Sequence, residues 1–364
     1  MDVSQMRIFQ NLLYTICLFV ALAWIGGCAG LPQYIPAEPP KLTSVEQDRV
    51  GAAVEGKLLQ MLGGPYYDKV LVNDLNRIVR SGQPLKASVA DQSTPALYPL
   101  PGGRVIMTRG LLAEVQSQPE LEAFLAHAAR LSNRIYEDRV ARNMVKATEE
   151  VLSAASALYD PDSEEIQLAR LFKQARCERD CLTSIRLSAS QTGNPASAGL
   201  PESVKRLSAL QPGYEMLAVA QDFEKIDNQS EAIATYLQAA AATPDEPRIL
   251  GSLGLAYLRI GELQSARLHL QKAVELQPDY YRTQMGLGYL YLQTGKYGQA
   301  NQALAASVRL LPVTENLFLL AEAREKSGDI KGAMLLYRFV AESDRSSKLG
   351  RTAASRLAQS TIVQ

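Results

Sequence analysis

Metal and nucleophile chemistry draws on histidine, cysteine and carboxylate side chains, and the supply is narrow in this sequence. Its 364 residues hold two histidines, His127 and His269, and four cysteines. His127 stands in the run Phe124-Leu125-Ala126-His127-Ala128-Ala129-Arg130-Leu131. Cys177 and Cys181 enclose Glu178-Arg179-Asp180, a spacing of one helical turn. That pair is open to three states: free thiols on a helix face, a local disulfide that distorts the helical spacing, or a soft metal site shared with His127 and Asp180. No phosphate-cradling glycine loop, nucleophile elbow or basic stripe with interleaved aromatics is present. Lys plus Arg and Asp plus Glu both number 38, so no global field points to nucleic acid or an anionic surface.

The other two cysteines lie near the N-terminus. Arg7 and the apolar run Leu12 to Ile25 read as a secretory signal, too short and too closely followed by glycine and proline for a permanent span. The run ends in Ile25-Gly26-Gly27-Cys28, similar to a bacterial lipobox, so residues 1–27 read as a lipoprotein signal and Cys28 as the acylated residue. Several acyl chains make such anchoring stable. Ala29 in place of aspartate favours the outer membrane, facing the periplasm. Pro32, Pro36, Pro39 and Pro40 make 28–43 an extended tether. Trp24, the single tryptophan, would leave with the signal.

The elements that position any site fall into two kinds. In the C-terminal part Pro244, Pro278 and Pro312 recur every 34 residues, the period of the tetratricopeptide repeat. Ala220, Gly254 and Gly288 hold a small position, Phe223, Tyr257 and Tyr291 a large one. Ala232, Ala266 and Ala300 precede Tyr236, Leu270 and Leu304. A fourth copy with Ala321, Ala333 and Tyr337 runs one residue out of step, and Lys348 to Gln359 reads as a polar cap. The array is placed at 211–364. Its concave face should carry Tyr214, Arg248, Leu255, Leu258, Arg282, Met285, Tyr289 and Leu292, a mixture suited to an extended or helical peptide. His269 falls in a second helix as a solvated residue.

Residues 44–210 read as mainly helical with a small β region. Val45 to Leu62 and Tyr67 to Ser81 are amphipathic helices, while Lys86 to Ala90 and Arg104 to Thr108 have strand character. Ser117 and Glu120 form a capping box for the helix that carries His127. Asp160 to Ser163 breaks the helical run, which resumes over Glu164 to Gln191 and ends at Gly193-Asn194-Pro195.

Three segments here resemble the HtpX/Oma/BepA group of zinc metallopeptidases, in particular its periplasmic branch with C-terminal tetratricopeptide repeats. They are Leu100-Pro101-Gly102-Gly103, Val105 to Leu112 with Thr108-Arg109-Gly110-Leu111-Leu112, and Pro119 to His127; Gly63 to Asp68 fits as well. The resemblance implies a zincin-like α+β domain followed by an α-solenoid. It also implies zinc held by HExxH, whose histidines lie one turn apart and whose glutamate activates water. Here His127 survives, but Ala128 takes the glutamate position and Leu131 that of the second histidine. The third-ligand position falls on Asp180, with Leu182 two residues on. Two inherited ligands are too few for zinc, so no metal, cofactor or catalytic residue is expected. Arg130 and Asp180 are expected to pair and replace the metal as the cross-link between helices.

Together these readings imply a catalytically inactive, lipid-anchored envelope protein that binds client or assembly-partner proteins through groove and repeats, as a chaperone-like module would. The alternatives are an active zinc metalloendopeptidase of outer-membrane quality control with non-standard ligands, and a structural scaffold of a secretion or export complex.

Overall fold

The computed structural model describes residues 43–80, 85–135, 170, 173, 176–177, 179–192 and 199–362. The signal at 1–27, Cys28, the tether up to residue 42, the break at Asp160 to Ser163 and the stop at Gly193 to Pro195 lie outside them. Residues Lys41–Gln364 form one compact unit. Among the described residues no helix is long and apolar enough to cross a membrane.

Helix α1 (Ser44–Met61) begins at a capping box, with the Thr43 side chain accepting from Glu46 N–H and the Glu46 carboxylate accepting from Thr43 N–H. Helix α2 (Lys69–Arg80) follows a Gly63-Gly64-Pro65 turn. Strands β1 (Lys86–Ala90), β2 (Leu97–Leu100) and β3 (Arg104–Thr108) form a sheet of order β1-β3-β2, with β3 parallel to β1 and antiparallel to β2. Central β3 is buried on both faces, so its apolar residues run consecutively instead of alternating. Ile106, Tyr98 and Leu100 pack against Val50, Val54 and Leu58 of α1. Val105 and Met107 face the opposite core with Leu71, Leu75, Phe124 and Ala128. Helix α3 (Arg109–Glu114) starts where Thr108 caps Leu111 N–H, and α4 (Gln118–Ile135) carries His127. The predicted capping box at Ser117 is half formed. Glu120 N–H donates to Ser117 Oγ, whereas the Glu120 carboxylate takes Gln116 N–H and Arg186.

Two departures from the sequence reading matter. Strand β2, which contains Pro99, is not among the strands expected from the sequence; at a sheet edge a missing N–H is tolerated. The helix predicted over Glu164 to Gln191 is interrupted. Arg170 and Lys173 are helical, Cys177 then exchanges both backbone hydrogen bonds with Leu97 on the free edge of β2, and α5 (Arg179–Thr192) starts beyond it.

Four helix pairs make the repeat array: α6 (Glu202–Lys225) with α7 (Gln229–Ala242), α8 (Pro247–Arg259) with α9 (Leu263–Leu276), α10 (Tyr281–Gln293) with α11 (Tyr297–Leu310), and α12 (Thr314–Lys326) with α13 (Ile330–Ser343). Helix α14 (Lys348–Ile362) packs on α13 as the closing cap. The small-and-large pairing read from the sequence is steric. A Cβ on Gly254 would sit 2.7 Å from Leu270 Cγ, and one on Gly288 2.5 Å from Leu304 Cγ. The boundary expected at 210/211 falls inside α6. Val204 and Leu207 belong to the core around the sheet and Leu217 and Ala220 to the first repeat core, so one helix serves both.

Candidate functional site

The first candidate is the concave groove of the repeats. Between α6, α8 and α10 lies a cavity of about 530 Å³, lined among others by Gln221, Glu224, Ser252, Leu255, Arg259 and Arg282. Leu255 is half-buried, lying over Gly286, where a Cβ would come within 2.5 Å of Leu255 Cδ2. Arg259 is tied to Glu224 at 2.7 Å and to Gln229 at 3.2 Å. Arg282 is exposed and, among the described residues, forms no ion pair. The groove therefore offers one aliphatic side chain, Leu255, in a mostly polar lining, with Arg282 as a cation that forms no ion pair among the described residues. That combination suits a peptide carrying an apolar and an acidic side chain.

Not every predicted groove residue is available. Tyr214 is buried at the junction with the sheet domain, and Leu258 belongs to a repeat core. Met285 and Leu292 pack against the last core. Arg248 touches the groove, but donates to Gly63 O at 2.6 Å and to Tyr280 Oη at 2.7 Å. Arg282 and Tyr289 are exposed, and Leu255, half-buried against its own repeat core, lines the cavity.

What takes Tyr214 is a buried polar network between the sheet domain and the repeats. Tyr214 Oη donates to Glu246 Oε2 at 2.6 Å, and Tyr67 Oη donates to Glu246 Oε1 at 3.0 Å. Arg109, fully buried, donates from Nε to Asp91 at 3.0 Å and stacks over the Tyr214 ring, 3.2 Å from its centroid. Burial pushes the Glu246 carboxyl up, against the hydrogen bonds from Tyr214 and Tyr67 that pull it down. Burial also raises the Tyr214 phenol well above its ordinary range, so it stays a donor. Around this network Gln60 bonds to Asp279 O and Tyr281 N–H, and Lys57 to Arg309 O and Leu310 O. The sheet domain thus seats on the connections between successive repeats. Gly63 is required there: its φ is +104°, and a Cβ would lie 2.4 Å from Asp91 O. The sequence reading assigned none of these residues except Tyr214 to a site, and placed Tyr214 in the groove. The available signal was Arg109 within Val105 to Leu112, since a charge inside an apolar run needs a buried partner.

The tetratricopeptide-repeat family model matches residues 218–281. That span runs from α6 to the start of α10 and covers the groove floor. Among solved structures the chain is similar to MamA 41-end from Desulfovibrio magneticus RS-1, at 18% identity, covering 41% of this chain and 96% of that one with a TM-score of 0.34. It is also similar to TTC0263, a thermophilic TPR protein in Thermus thermophilus, at 20% identity, covering 53% of this chain and 95% of that one with a TM-score of 0.36. No curated protein sequence matches the chain.

The second candidate surrounds His127. Ala128 is fully buried in the apolar core, and Leu131 offers no ligand atom, so the donors of a zinc-peptidase centre are not assembled on α4. Asp180 does not replace them. It is exposed, as is Arg130, and no ion pair joins the two. The expected Arg130–Asp180 cross-link is therefore absent: α4 and α5 are held by Phe124, Leu125, Leu182 and Ile185, and by Arg186 reaching Glu120 at 2.6 Å. His127 meets Cys181 instead, with Nε2 3.6 Å from Sγ. Cys177 and Cys181 are joined as a disulfide. Burial, with Arg130 nearby, holds the His127 imidazole below its ordinary pKa. His269 lies elsewhere on α9, partly buried and partly exposed, with its ring stacked on Tyr257 at 5.6 Å.

Proposed function

We propose that this chain is a non-catalytic binding protein that holds a segment of a protein partner in the concave groove of its repeats. The groove carries the reading: Leu255 and Ser252 form a floor with Arg282 unpaired at its side, within and beside a region that matches the tetratricopeptide-repeat model. A segment with an apolar side chain over Leu255 and a carboxylate at Arg282 satisfies both. The buried network at Glu246 fixes the array on the sheet domain, which keeps the groove formed before a partner arrives and lowers the ordering cost of binding.

The finer parts of the proposal rest on sequence. Ile25-Gly26-Gly27-Cys28 supports a lipid-anchored protein of the outer membrane facing the periplasm. Its partners are then envelope proteins. The segments around Gly102, Thr108 and His127 support descent from a metallopeptidase, and Ala128 and Leu131 support loss of its activity.

Display of random peptides on the immobilised chain tests the binding claim, with counter-selection on Leu255→Asp/Arg282→Glu. Acidic, apolar-bearing peptides should be enriched on the native chain alone. Equal enrichment on both chains sinks the groove assignment. Chelator-sensitive hydrolysis of casein by the purified chain would contradict the non-catalytic part.

A further inference from the structure

Three side chains from three separately anchored places meet at one point. Cys177 is fixed by its backbone bridge to Leu97 on the edge of β2. Cys181 sits in the first turn of α5, whose Leu182 and Ile185 are buried in the same core as Phe124 and Ala128 of α4. His127 projects from α4 onto the Cys181 sulfur. The ligand atoms of all three lie within 4.8 Å of one another, and among the described residues this is the group with metal-holding spacing. The pair of cysteines is linked in the structure. A disulfide by itself makes no use of an imidazole nitrogen placed against one of its sulfurs.

We propose that His127, Cys177 and Cys181 form a redox-gated site for a thiophilic divalent cation of the zinc class, closed by the disulfide and opened by its reduction. Metal–sulfur bonds of about 2.3 Å and metal–nitrogen bonds of about 2.0–2.1 Å at tetrahedral angles require sulfur and nitrogen about 3.6 Å apart. His127 Nε2 and Cys181 Sγ already stand 3.6 Å apart. The two sulfurs must part to about 3.8 Å by the same geometry, within reach of side-chain rotation once the bond is broken. The steps balance. A dithiol reductant supplies two electrons and two protons, becomes a disulfide and leaves two thiols. The cation then binds two thiolates and the imidazole, both thiol protons pass to solvent, and water completes the fourth position. Two thiolate charges cancel the dication, so exposed Arg130, one turn from His127, faces a neutral centre. The site uses neither a second histidine nor Asp180, which the sequence reading counts as a fourth ligand beside His127 and the two cysteines and which is exposed.

Cobalt(II) titration of the full chain, monitored by thiolate-to-cobalt charge transfer and tetrahedral ligand-field bands, tests the proposal. After reduction with a phosphine and its anaerobic removal, one equivalent should bind and be displaced by zinc. The oxidised chain should show neither band. Cys181→Ser should abolish the charge transfer, His127→Ala should weaken binding at least tenfold, and His269→Ala should change nothing. No bands in the reduced chain, or equal affinity in His127→Ala, overturns the proposal. Should a variant unfold, the native chain still decides: zinc must protect the peptide bearing Cys177 and Cys181 from alkylation in mass spectra, and undiminished alkylation overturns the site.

Discussion

Replacing Tyr214 by phenylalanine deletes one oxygen from the buried network while leaving the ring in place beneath Arg109, 3.2 Å from the guanidinium carbon. The lost oxygen donates to Glu246 at 2.6 Å and stands 3.4 Å from Asp91. Tyr67 at 3.0 Å and Tyr66 at 3.4 Å still reach the other Glu246 oxygen, so the carboxylate is left partly satisfied. A hydrogen bond to a charged group contributes about 1.5–3 kcal/mol, so with the ring contact retained a loss of about 2 kcal/mol is expected. In urea, with a slope of about 2–3 kcal/mol per molar, the midpoint should fall by about 0.7–1 M. Tyr289→Phe, at an exposed position of the groove, is the control and should stay within about 0.5 kcal/mol of the native chain. A Tyr214→Phe loss no larger than the control's would refute the claim that the network fastens the repeats to the sheet domain.

Three further outcomes follow from the same structure. Glu246 faces Tyr66, Tyr67 and Tyr214 with Asp91 and Arg109 close by, and burial raises its folded pKa above the ordinary 4.5. The folded state then binds the extra proton, so the Glu246 contribution is fully present below about 4.5 and is lost as pH rises through the raised value. Urea midpoints of the native chain relative to Glu246→Gln should therefore decline across that window and then level off; a pH-independent difference would count against the assignment. Gly295, at φ +71° with open space around its Cβ position, should cost about 1–2 kcal/mol as alanine from backbone strain alone, and a neutral melting result would contradict this. At the equivalent turn of the preceding pair but one, Asp227 has φ 58°, so Asp227→Gly should raise the melting temperature instead.

How far the sequence reached depended on whether a feature repeats or is made once. Gly254 with Leu270 and Gly288 with Leu304 were legible because a 34-residue period shows the same steric rule several times over. The Tyr214 assignment failed, and Arg248 lines the groove with its guanidinium already engaged, because repeat logic predicts which helix face is concave, not which part another segment covers. At Arg248 the Gly63-Gly64-Pro65 turn covers it. Helix periodicity carried the reading through Cys177, whereas Leu97, distant in sequence, draws that backbone onto a sheet edge. The Arg130–Asp180 pair failed for a related reason. The resemblance to the zinc peptidases put Asp180 at the third-ligand position, within reach of the His127 helix, but the late start of α5 brings Cys181 there and leaves Asp180 exposed.

The central claim, a partner held in the concave groove, is tested most directly by site-specific photocrosslinking in cells. A photoreactive residue at Ser252 or Leu255, in the groove, should capture one and the same protein. At exposed Leu268 it should not. That protein, once purified, should bind Arg282→Glu at least tenfold more weakly than the native chain. Equal capture at Leu268, or unchanged affinity for Arg282→Glu, would contradict the account.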